Sequence, residues 1–190
     1  MASYRHRGKQ ERRPPKPLSQ PKLEELALAY VARFATTRVK LERYLKRKLR
    51  ERGWEGEGEP RPEELAARYV ELGYIDDESF ARMKSSSLLR RGYGARRIGQ
   101  ALGEAGIEES VRNDMRPGEL AQREAALAFF RRRRFGPFGA EPPDRDRREK
   151  QLAAALRAGH SLDMAREMVD AKSQDAAERW VAEAEFYEDE

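Results

Sequence analysis

The sequence predicts an all-α protein in which one three-helix pattern is repeated three times in tandem. Apolar residues recur at the i, i+4, i+7 spacing that places them on one face of a helix. The pattern Arg-x-Leu/Ile-x-x-x-Leu-x-x-x-Gly occurs at residues 43–53 and again at residues 96–106. A third copy, one residue shorter, has Leu152 and Leu156 before Gly159. Because each unit is too small to bury a core alone, we expect neighbouring units to stack.

The composition favours narrow buried stripes on otherwise polar helices. Charged residues make up 38% of the 190 residues, with 39 basic against 34 acidic side chains. The mean hydropathy of −0.96 would be compatible with disorder, but the near balance of charge and the helical spacing favour folded helices. A net charge of +5 favours an acidic partner such as nucleic acid.

Several classes of site are excluded by the residues that the chain lacks. There is no cysteine, which removes disulfides and thiolate chemistry and suits the reducing cytoplasm where we expect the protein to act. The two histidines, His6 and His160, are too few for a histidine-rich metal site. No apolar run approaches the roughly 18 residues of a membrane span, and no phosphate-binding loop, G-x-S-x-G or H-E-x-x-H motif occurs. We therefore expect no enzyme, no cofactor and no membrane contact.

The first unit is predicted to span residues 23–75, after a disordered basic tail at residues 1–22 whose prolines oppose a helix. That tail could contact DNA or serve only as a solubilising end. The first helix carries Leu23, Leu26, Tyr30 and Phe34; the second, capped by Thr36 or Thr37, carries Leu41, Leu45 and Leu49 and closes at Gly53. After a loop at 55–62, a third helix over residues 63–72 presents Leu65, Tyr69 and Leu72.

The joint between the first and second units is predicted at residues 72–81, with the sequence LGYIDDESFA. Gly73 follows the helix where the backbone turns left-handed, and Tyr74 and Ile75 can fold back onto the last turn. Asp76 is an N-cap, and the carboxylates after it favour the positive end of the next helix. Phe80 and Met83 then restart the apolar stripe.

The remaining elements follow the same order. The second unit, residues 76–117, is predicted to have helices at 77–89, 95–105 and 108–115. The third, residues 118–172, has helices at 119–134 and 146–158, a loop at 136–143 and a last helix capped by Ser161. Residues 173–190 form a helix that contains Trp180 and runs into an acidic end.

Basic residues cluster near the second helix of each unit, and these are the candidate contacts with an acidic partner. If the units stack in register, the clusters form one stripe; the competing interpretation is a solvated face, because basic residues late in a helix also stabilise its dipole. Gly92-Tyr93-Gly94 is either a tight turn or a phosphate site at a helix N-terminus. The candidate residues are Lys46, Arg47, Lys48, Arg90, Arg91, Arg96, Arg97, Arg131, Arg132, Arg133 and Arg134.

Two motifs carry a family resemblance: LGYIDD-x-x-FA at residues 72–81, and RRGYG-x-RRI-x-x-x-L-x-x-x-GI at residues 90–107. In both, the sequence resembles the RecX family of regulatory proteins that act on the RecA recombinase. The match covers roughly residues 26–169 and departs from the commoner pattern in the loops at 55–62 and 136–143 and in both tails. The motif implies packing and capping roles for Gly73, Asp76, Gly106 and Ile107.

The resemblance implies an elongated, curved array of three three-helix repeats with charged tails. Family members bind RecA filaments on single-stranded DNA and typically restrain strand exchange and ATP hydrolysis. The expected partner is therefore the RecA filament, single-stranded DNA is a second candidate, and we expect a monomer. The alternative is an autonomous helical DNA- or RNA-binding protein that acts without RecA.

Overall fold

A computed structural model describes residues 16–185 of the protein. This part of the chain contains ten α-helices, one 3-10 turn at Gly136–Phe138 and no strand, so the all-α prediction is confirmed. The helices are α1 (Gln20–Arg33), α2 (Arg38–Arg52), α3 (Pro62–Glu71), α4 (Asp77–Arg90), α5 (Ala95–Glu104), α6 (Glu109–Asp114), α7 (Glu119–Arg133), α8 (Arg145–Ala158), α9 (Leu162–Asp170) and α10 (Gln174–Ala182).

Buried apolar side chains form three clusters, one in each predicted unit. The first includes Leu41 and Leu45, and the second includes Ile98 and Leu102, which is fully buried. The third is built around Phe130 and extends to Ala177 on α10. The second and third clusters meet where α4 packs against α7, and Tyr93 contacts both of them.

The folded chain begins before the predicted boundary at residues 22/23. Leu18 is fully buried, and its N–H donates to the Gly53 carbonyl at 3.0 Å. The Glu55 N–H in turn donates to the Leu18 carbonyl at 3.0 Å. The prediction placed residues 18–22 in the tail, which is wrong because Leu18 closes the first cluster beside α2. The rest of the predicted tail, residues 1–15, and the last acidic residues, 186–190, lie outside the described residues.

The joint between α3 and α4 has the predicted caps. Gly73 has φ +73°, and Asp76 accepts the Ser79 N–H at 2.8 Å and the Ser79 hydroxyl at 2.6 Å. Two apolar predictions here are wrong, since Leu72 is 54% exposed and Met83 is 52% exposed. Leu72 is the C-cap of α3, where the chain already turns away from the core. Met83 lies on the side of α4 opposite its buried face.

Candidate functional site

The predicted contact residues lie at or near helix ends, and all of them except the half-buried Lys48 are exposed. The first cluster lies in the C-terminal half of α2, and the second spans the turn from α4 to α5. The third occupies the end of α7, where Arg134 adopts the left-handed conformation with φ +55°. Their side chains are therefore accessible, and their partners within the protein decide what remains available to a ligand.

The turn between α4 and α5 packs against the third unit. The Gly94 N–H donates to the Ala158 carbonyl at 2.9 Å, and the Arg96 N–H donates to the Gly159 carbonyl at 3.2 Å. A Cβ on Gly94 would lie 2.3 Å from the Gly159 carbonyl carbon, so only glycine allows this approach. The N–H groups of Gly94 and Arg96, which a bound phosphate would need as donors, are therefore already hydrogen-bonded to carbonyls of the third unit. The tight-turn interpretation is confirmed and the phosphate-site alternative is wrong.

Buried His160, which belongs to the third unit, packs against the same α4–α5 turn. Its Nε2 lies 3.1 Å from the Gly92 carbonyl, so Nε2 carries the proton and donates. Nδ1 is buried and has no hydrogen-bond partner among the described residues. Burial lowers the pKa of His160, and the Gly92 contact only partly opposes this effect. The imidazole is therefore a neutral structural group.

Two of the three basic clusters meet at the joint between the second and third units, where the α4–α5 turn packs against the third unit. An Arg132 Nη1 group donates to the Arg91 carbonyl at the end of α4, and the Arg91 guanidinium lies 5.3 Å from the centre of the Tyr93 ring. Among the described residues, Arg90 and Arg97 have no carboxylate partner. We call the exposed set Arg90, Arg91, Arg97, Arg132, Arg133 and Arg134 the joint surface.

Arg96 also holds two units together. Its Nη2 donates to the Leu156 carbonyl in the last turn of α8 at 2.6 Å. Arg43, which matches Arg96 in the sequence repeat, donates its Nη1 to the Glu104 carbonyl at the end of α5 at 2.7 Å. Guanidinium groups stabilise the unpaired carbonyls and the negative end of a helix. The repeated arginine therefore marks a repeated contact between units, which the sequence match indicated only as a pattern.

The contact between the first two units contains two polar side chains that the sequence analysis assigned only to their own helices. Thr37, which caps α2 through the Lys40 N–H, also donates its hydroxyl to the Ala105 carbonyl at 2.5 Å. Asp77 accepts the Arg38 N–H at 3.0 Å and so adds a second cap to α2 from another unit. Desolvation raises the pKa of Asp77 despite this hydrogen bond. No local sequence signal identifies these partners.

The cluster on α2 is partly neutralised. Lys46 Nζ lies 2.5 Å from a Glu63 carboxylate oxygen, a hydrogen bond that raises the lysine pKa. Lys48 and Arg47 share Glu51, at 2.7 Å and 3.6 Å. Arg131 on α7 is likewise paired, with Glu178. These four predicted residues thus have acidic neighbours, in contrast to the joint surface.

Within residues 16–185, no group of three His, Cys, Asp or Glu side chains is placed to hold a metal ion. The same part of the chain contains no helix long and apolar enough to cross a membrane.

Comparison with known proteins identifies relatives over most of the chain. A family model described as "RecX, second three-helix domain" matches residues 76–114. The regulatory protein RecX of Myxococcus xanthus (strain DK1622) is 35% identical over 173 residues, which cover 85% of this chain and 92% of the relative. That of Mycobacterium sp. (strain JLS) is 32% identical over 186 residues, covering 94% and 98%. The crystal structure of RecX from Lactobacillus salivarius superposes with a TM-score of 0.60 at 19% identity, covering 85% of this chain and 96% of that one.

Proposed function

Because the chain belongs to the RecX family of regulatory proteins, we propose that it modulates the RecA recombinase by binding RecA filaments on single-stranded DNA. The observation that carries this proposal is the 35% identity to a RecX protein over 92% of that relative's length. The family is regulatory and not catalytic, so the effect must come from occupancy of the filament. We expect inhibition of strand exchange and of ATP hydrolysis, exerted by a cytoplasmic monomer.

The joint surface is our candidate for the filament contact. Its side chains are exposed, Arg132 reaches the Arg91 carbonyl from the third unit, and Arg90 and Arg97 have no acidic partner among the described residues. An unneutralised cationic surface attracts both DNA phosphates and acidic protein surfaces, and it speeds their association at low salt. Lys46, Arg47, Lys48 and Arg131 are secondary candidates, because binding would first have to displace their intramolecular carboxylates.

The test is co-sedimentation with RecA filaments together with strand exchange, using the cognate RecA. We expect Arg97→Glu to weaken filament binding, relieve inhibition and reduce the log–log salt slope by about 0.7 if a phosphate contact is lost. Arg145→Glu is the matched control, since Arg145 is exposed on α8 and lies outside the joint surface. Equal effects of the two variants would remove the joint surface from the interface.

A second comparison separates this function from autonomous nucleic-acid binding. Binding of the wild-type protein to bare single-stranded DNA and to RecA filaments is measured at one salt concentration. A filament modulator binds the filament more tightly and changes its ATPase rate. A protein that binds both equally and leaves the ATPase rate unchanged would contradict the proposal.

A further inference from the structure

Three aromatic rings form a continuous row on the surface of the first unit. The Tyr30 and Tyr44 rings are stacked, with centroids 4.3 Å apart and an interplanar angle of 19°. Phe34, one helical turn after Tyr30, lies 5.3 Å from it. At the Tyr44 end, the Arg47 guanidinium lies 5.6 Å from the ring centre. Phe34 forms the other end and is 51% exposed, although a phenyl ring gains most from burial.

The row lies in a groove whose charged residues are all basic. The groove has a volume of about 610 Å³ and is lined by the three aromatic residues, Ala35 and four cations, with no carboxylate among the described lining residues. The cations are Lys40, Arg43, Arg47 and Arg50. The pKa of Lys40 is lowered, first by burial and then by repulsion from Lys84 and Arg43. Arg47 has Glu51 at 3.6 Å and Arg43 donates to the Glu104 carbonyl, so Lys40 and Arg50 are the two lining cations with neither a carboxylate nor a carbonyl partner in the described part of the chain.

We propose that this groove binds single-stranded nucleic acid directly, with a base stacked on Phe34 and the adjacent phosphates held by the surrounding basic side chains. Exposed rings beside a cationic groove match the two chemical features of an unpaired strand, a flat base and a repeating anion. A duplex offers the phosphates but keeps the faces of its bases stacked inside. An acidic peptide would use the cations and leave the aromatic row without a role.

The site does not depend on the proposed function, because it contacts nucleic acid without RecA. It is also separate from the joint surface, since its lining residues belong to α1, α2 and the segment between them. Failure of this inference therefore leaves the filament contact at the joint surface untouched.

The test is fluorescence anisotropy with the full-length protein and a labelled 20-nucleotide oligothymidine, in the absence of RecA. Phe34→Ala is expected to weaken binding about tenfold, the effect of losing one stacking contact. Leu28→Ala is the matched control, because Leu28 is 50% exposed on α1, the helix that ends at Phe34, and does not line the groove. An abasic strand of the same length should bind wild type and Phe34→Ala equally weakly.

The charged part of the site is tested by Arg50→Gln against Arg145→Gln, which removes one exposed cation elsewhere. Only Arg50→Gln should weaken oligothymidine binding and reduce the salt slope. If polyglutamate of matched length competes as well as oligothymidine does and Phe34→Ala has no effect, the groove is a general anion surface and the inference fails. It also fails if the duplex binds as tightly as the single strand.

Two further measurements keep the test decisive if Phe34→Ala melts at a lower temperature. Phe34→Trp keeps a larger ring at the position and should bind at least as tightly as wild type. A strand containing 5-iodouracil should cross-link on irradiation to the peptide that contains Phe34. Cross-linking only to peptides outside α1 and α2 would overturn the proposal.

Discussion

Two adjacent buried threonines, Thr36 and Thr37, should respond in opposite ways to replacement by valine. The Thr37 hydroxyl accepts the Lys40 N–H at 3.2 Å and donates to the Ala105 carbonyl at 2.5 Å. The Thr36 hydroxyl is also buried but has no hydrogen-bond partner among the described residues. Valine has nearly the same shape as threonine, so each substitution reports mainly on the hydroxyl.

The expected magnitudes follow from these contacts. Thr37→Val removes a helix cap worth about 1 kcal/mol and leaves the buried Ala105 carbonyl unpaired, at about 1–3 kcal/mol. The free energy of unfolding should therefore fall by about 2–4 kcal/mol. Thr36→Val removes an unpaired buried hydroxyl and should leave stability unchanged or raise it by up to about 1 kcal/mol.

Urea denaturation followed by circular dichroism measures both changes. Thr37→Ser is the control that retains the hydroxyl, and it should lose less than Thr37→Val. Equal losses for Thr36→Val and Thr37→Val would refute the assignment of the Thr37 hydroxyl as the link between the first two units. The result would then reflect side-chain packing alone.

Three other substitutions test the fold. Leu102→Asp places an unpaired charge at a fully buried position, which should cost several kcal/mol and abolish the cooperative melt of the second unit. Gly73→Val should destabilise the protein more than Asp76→Ala, because valine is strongly disfavoured at φ +73° whereas loss of the helix cap costs about 1 kcal/mol. The reverse order in thermal melts would indicate another role for Asp76. Burial lowers the pKa of His160 in the folded protein, so as the pH falls the unfolded chain protonates this imidazole before the folded protein does. Stability should therefore decrease as the pH drops below about 6.5. His160→Gln should flatten this part of a plot of melting temperature against pH.

Helix positions and caps could be predicted from the sequence because their causes are local. Thr37, Asp76 and Ser161 each accept an N–H three residues ahead, within one turn of the chain. The partner of Asp77 could not be predicted in this way, since Arg38 is 39 residues away and belongs to another unit. The exposure of Leu72 depends similarly on where the chain leaves α3, which periodicity does not specify.

The aromatic row was overlooked for a related reason. Tyr30 and Phe34 have the spacing of a buried helix face, and the sequence analysis assigned them to the core. Periodicity identifies residues on the same face of a helix, but not whether that face is covered. Tyr44 lies on a different helix, so its stacking on Tyr30 depends on how α1 packs against α2.

The large number of basic residues overstates the charge available to a partner. Arg43, Arg96, Arg123 and Arg132 each donate to a backbone carbonyl at or near the C-terminal end of another helix. Replacement of any of them leaves a carbonyl without its partner, so the loss of folding energy and the loss of binding cannot be separated. The sequence analysis treated Arg96 and Arg97 as equivalent exposed contacts.

Arg97 and Arg96 are therefore not interchangeable in an experiment. Arg96→Glu removes the hydrogen bond to the Leu156 carbonyl and brings a negative charge to the negative end of α8, so it should lower the melting temperature. The Arg97 side chain has no polar partner among the described residues, so Arg97→Glu should melt close to wild type and change only binding. If both variants melt alike, the Arg96 contact does not hold the second and third units together. A variant that carries both Arg96→Glu and Arg97→Glu would then melt like either single variant and could also be used to test binding.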